Sequence, residues 1–128
     1  MKRYDPEEAP QAEGWMAIDE SERIRLVEKY HRAARIKLPN SLLHASIHVV
    51  VENQLAMEDQ AMVRETLARL MAEGLPRHDA VHAIGSVLAS HIHEIATSKD
   101  GATFSESDYH AELKELTAKK WLQGEAMS

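Results

Sequence analysis

From Ile24 to Leu116 the apolar side chains recur every three or four residues, a period that builds helices and leaves little room for strands. Ile24, Val27, His31, Ala34 and Leu38 share one face of a helix that Asp19 or Ser21 can cap and that Pro39 stops. Asn40 or Ser41 reopens the chain into a second helix through Leu55, with Leu43, Ile47, Val50, Val51 and Leu55 turned inward. The run Ile47 to Val51 has a strand's composition, but the periodic residues on both sides favour helix. A third helix is expected over Asp59 to Glu73, with Met62, Val63, Leu67, Leu70 and Met71 apolar and Gly74 ending it. Pro76 fits the start of a fourth, which carries Val81, Ile84, Leu88, Ile92 and Ile95 inward. Past a loop at 98–102, Ser105 can cap a last helix presenting Tyr109, Leu113 and Leu116, with Asp108 three residues on. The predicted fold is all-α, a compact bundle of about five helices with short connections.

Residues 1–17 contain Pro6, Pro10 and Gly14 and show no apolar period before Trp15, so they are expected to form a mobile arm. A single helical domain over 18–124 and a tail at 125–128 complete the expected organisation. An apolar share of 44% with 28% charged residues belongs to a globular chain and excludes collagenous or wholly disordered classes. The absence of cysteine excludes disulfides, thiolate metal sites and a cysteine nucleophile. Fifteen basic against 21 acidic residues give a net charge of -6, which argues against nonspecific nucleic-acid binding. Arg25, Lys29, Arg32, Arg35 and Lys37 cluster locally, but Glu22 and Glu28 interrupt them, as on an ordinary charged helix face. No 18 apolar residues run together and the start does not resemble a signal peptide, so no membrane association and a cytoplasmic location are expected. A protein partner or self-association through Met57, Met62 and Met71 is the interaction open to such a chain, although methionines at this spacing more often fill a core.

The histidines carry the chemistry. Eight are present, and the spacing His44-x3-His48-x3-Glu52 is followed by His78-x3-His82, with His93 further along. At about 100° per residue, His44, His48 and Glu52 form a stripe about 80° wide beside the apolar side of the second helix. His78, His82, Gly85, Ala89 and His93 form a narrower stripe of about 60° on the fourth. Four imidazoles and one carboxylate from two helices can surround a divalent ion: zinc by preference, with iron or manganese as alternatives that usually recruit more carboxylate and water. Glu52 can ligate the ion, fix the tautomer of a liganding imidazole, or act as general base toward metal-bound water, which makes it the one catalytic candidate.

Two other functions fit the same residues. One is a non-enzymatic interaction or homo-oligomeric protein, with a buried histidine network that sets helix register. The other is a metal-dependent hydrolase or redox protein. His31, central on its helix, is expected to be a satisfied core histidine, with a further metal ligand as the alternative, and His91 is expected to be exposed. His110 and Glu115, five residues apart, do not share a face firmly. Dinucleotide, phosphate-loop and H-E-x-x-H motifs are absent, and only Glu28-x2-His31 has the E-x-x-H spacing of di-iron bundles.

Two resemblances follow from these residues. The order His31, His48-x3-Glu52, His78-x3-His82 and His110-x4-Glu115 resembles the hemerythrin ligand order in outline, with Glu115 in place of the usual Asp. The segment Leu43 to Leu55 followed by Arg77 to Ile84 more closely resembles the histidine-rich helical core of a bacterial domain-of-unknown-function family. There a histidine pair precedes a Glu/Gln element and a second pair follows one helix later; here Asn53 separates Glu52 from Gln54. That resemblance implies a helical core and no particular reaction.

Overall fold

A computed structural model describes residues 3–33, 41–101 and 103–127, and every regular element among them is an α-helix. In chain order these are α1 (Ala12–Met16), α2 (Glu20–Ala33), α3 (Ser41–Ala56), α4 (Ala61–Ala72), α5 (Arg77–Thr97), α6 (Glu106–Glu115) and α7 (Ala118–Met127). The predicted all-α class is confirmed. Among the described residues the helices number seven rather than five: the five-residue α1 lies in the segment read as an arm, and an extended Leu116 divides the last predicted helix from a further one, α7. Ala34, Leu38, Pro39 and Asn40, invoked above for the end of one helix and the start of the next, lie outside the described residues. Among the described residues no helix is long and apolar enough to cross a membrane.

The chain divides into two compact units, 1–61 and 62–128. In the first, α2 and α1 both pack on α3 around Tyr4, Trp15, Leu26, Val27, Ala45 and Val49. The segment ahead of α2, read from sequence as an arm, places Tyr4 and Trp15 in this core at 1% exposure each. A polar clamp holds it there. The Trp15 indole N–H donates to the Asn53 side-chain oxygen at 3.0 Å, and Arg23 donates to the same oxygen at 2.8 Å. One α3 side chain therefore ties α1 and α2 together, and its half-buried acceptor is satisfied twice. At the entry to α1 the Gln11 side chain accepts from the Gly14 N–H, capping a helix of only five residues.

In the second unit Gly74 adopts φ +110°, a conformation that glycine enters without steric cost, and this ends α4 where predicted. The Arg69 guanidinium on α4 reaches the Leu113 carbonyl at 2.9 Å and the Glu73 carboxylate at 2.9 Å. Glu73 in turn accepts from the Ala118 N–H, the first residue of α7, at 2.8 Å. That backbone bond, reinforced by Arg69, holds the Glu73 carboxyl below its ordinary pKa of 4.5. Ser105 caps α6 as expected, accepting from the Asp108 N–H.

The face α5 buries departs from the sequence reading. Val81, Ile84 and Leu88 are inside as predicted, but Ile92 is exposed and His91 is buried. Helix α6 packs on α5 and brings Tyr109 and Glu112 over His91, whose Nε2 lies 3.0 Å from the Glu112 carboxylate. A ring with a carboxylate partner can be buried where an unpaired one is disfavoured, so hydropathy alone chose the wrong neighbour.

Candidate metal centre

On α3 the buried stripe is Ala45, His48, Val49 and Glu52, spaced three and four residues apart, with Val51 beside it. Leu43, predicted to face inward, is 56% exposed. The helix is therefore rotated from the purely apolar reading, and the histidine–glutamate stripe occupies the centre of the core face. This is possible because the polar groups arrive with partners. The Tyr4 hydroxyl hydrogen-bonds to the Glu52 carboxylate and lies 3.1 Å from His48 Nε2. All three residues are at most 2% exposed.

The opposing helix α2 contributes His31, 3% exposed, whose Nδ1 is 2.8 Å from the Val27 carbonyl one turn earlier. A carbonyl only accepts, so Nδ1 carries the proton and Nε2 keeps its lone pair. The His31 ring lies 5.3 Å from that of His48 and 4.8 Å from that of His44, measured between centroids and steeply tilted in both pairs. A third short contact, 5.9 Å between His44 and His48, follows from their i,i+4 spacing on α3. On α5, His78 and His82 have the same spacing, with ring centroids 4.3 Å apart, and both are half-buried.

His31 and His48 in the first unit, and His78 and His82 in the second, each set two imidazoles side by side, and such rings are capable of coordinating a divalent metal ion.

Of the residues nominated from sequence, His44, His48 and Glu52 lie in the first unit and His78 and His82 in the second. His44 lies against His31 and His48, and Glu52 meets the same Tyr4 hydroxyl as His48. His31 packs on these α3 histidines, although its position pointed first to a satisfied core histidine and only second to a ligand. Its place at the centre of the apolar face was the available signal, since a histidine there must be matched by a polar partner. Tyr4 had no comparable signal: a lone tyrosine before Asp5 and Pro6 belongs to no period. His93 is exposed, and His110 lies 3.7 Å from Glu106 rather than beside Glu115.

The profile of a family described as a domain of unknown function, DUF1841, matches residues 17–115. The chain belongs to that family. The match takes in His31, His44, His48, Glu52, His78 and His82, whereas Tyr4 precedes it. No curated protein and no solved structure matches this DUF1841 chain.

Proposed function

We propose that this DUF1841 protein binds one divalent ion, zinc in preference to iron or manganese, through His31, His48, His78 and His82. The observation that carries the reading is the close pairing of imidazoles within each unit, His31 with His48 in the first and His78 with His82 in the second. Support also comes from His31, whose Nδ1–H is directed to its own helix carbonyl, so that Nε2 is the nitrogen that would meet a metal. Four imidazole nitrogens and no thiolate match zinc, while iron and manganese ordinarily draw in carboxylates and water. Four protein ligands also close the coordination shell, which favours an ion-holding or structural role over hydrolysis. Glu52 then serves as the anion behind His48 rather than as a base toward water, consistent with its hydrogen bond to Tyr4.

Elemental analysis of protein purified without an affinity tag and incubated with zinc tests the proposal. A stoichiometry near one ion per chain, lost in His48→Gln and His82→Gln, is expected. A value near zero in the unsubstituted protein removes the metal reading and leaves a buried histidine network.

A further inference from the structure

We infer that Tyr4 is a positioning residue that commits His48 to bind the ion through Nδ1. The inference rests on the metal reading above but uses only contacts within the first unit. The phenol has one proton, and it goes to the Glu52 carboxylate, the stronger acceptor. The phenolic oxygen is then left as an acceptor facing His48 Nε2 at 3.1 Å. His48 can satisfy that contact only by carrying its proton on Nε2, which puts the lone pair on Nδ1. The opposite tautomer would set two lone pairs against each other in a buried site, where an unmade hydrogen bond is costly.

Packing fixes the phenol for this task. Its ring lies 5.6 Å from Trp15, and it meets Tyr30 and His48 edge-on at 6.3 and 5.5 Å. Glu52 follows His48 by one turn, so both reach the same hydroxyl from one face of α3. His31 is arranged the other way, with Nδ1–H donating to a carbonyl and the lone pair on Nε2. The two buried histidines of this unit therefore present different nitrogens, each set by the partner on the other. When a divalent cation loads, the Glu52 charge is relayed through Tyr4 to the ring that shares the positive charge.

The test is long-range proton–nitrogen NMR of the full chain labelled at histidine nitrogen, metal-free and zinc-loaded, with zinc affinity measured against a competing chelator. In the metal-free protein His48 should show a protonated Nε2, and on loading Nδ1 should take the shift of a zinc-bound nitrogen. Tyr4→Phe should lose the tautomer preference and weaken zinc binding about 10- to 100-fold with the stoichiometry unchanged. Zinc bound through Nε2 of His48, or a Tyr4→Phe protein with unaltered tautomer and affinity, overturns the inference while leaving the metal reading intact. Absence of zinc uptake by the unsubstituted protein overturns the metal reading itself. If Tyr4→Phe does not fold, the spectra of the unsubstituted protein decide the question alone.

Discussion

Replacing His31 by leucine separates an ion-binding cluster from a histidine network kept for stability. His31 is 3% exposed, and its hydrogen bond is to a helix carbonyl that also accepts from its own backbone ladder. Losing that side-chain bond costs about 0.5–1.5 kcal/mol. Burying a leucine of similar volume returns about 1.5 kcal/mol or somewhat more. The metal-free His31→Leu protein should therefore match the unsubstituted chain within about 1 kcal/mol. With zinc the two diverge. At a free zinc concentration 100 times Kd the unsubstituted protein gains about 2.7 kcal/mol. Structural zinc sites are worth about 10–16 kcal/mol, so one of four ligands accounts for about 2.5–4 kcal/mol, or a loss of about 100- to 1,000-fold in affinity. The same zinc concentration then stabilises His31→Leu by less than about 0.5 kcal/mol. Urea unfolding followed by Trp15 fluorescence, in a Trp121→Phe background and with chelator or zinc, reads all four states. A variant that loses several kcal/mol in chelator, or keeps its full response to zinc, refutes the reasoning.

Two further substitutions test how each unit is held together. Trp15→Ala should destabilise the first unit by about 3–5 kcal/mol, the range for removing a buried large aromatic. Trp15→Phe should cost only about 1 kcal/mol beyond its smaller area, because Asn53 keeps its bond from Arg23; amide exchange of α2 and α3 measures both, and equal effects would deny that ring packing dominates. In the second unit, Glu73 has a lowered folded pKa, so its contribution is fully present above its ordinary value of 4.5 and is lost as pH falls through the lower folded value. The stability advantage over Glu73→Gln, followed by Trp121 fluorescence, should be present near about pH 6 and shrink as pH falls below 4.5 through the lowered folded value. A difference that does not vary with pH would show that the carboxylate charge plays no part in holding α7.

Helix class and most helix ends were legible because they depend on local signals: Gly74, Pro76 and Ser105 act where they stand in the chain. The inward faces were less legible. An apolar count placed Leu43 and Ile92 inside, yet the core admits His48, Glu52 and His91 because Tyr4 and Glu112 satisfy them. Such pairings join residues as much as 48 positions apart and leave no period to detect. The i,i+4 spacing did pair His44 with His48 and His78 with His82, since that spacing places side chains on one face whatever the tertiary structure. It could not reveal His31, whose neighbours on α3 are set by helix packing, nor Tyr4, whose segment has no helical period.

Anomalous diffraction at the zinc edge from crystals of the loaded protein tests the central claim most directly. The account predicts one peak per chain within bonding distance of His31 Nε2, His48 Nδ1 and one ring nitrogen each of His78 and His82. Bound zinc found only at exposed histidines such as His93, with no peak bonded to any of the four rings, would contradict it.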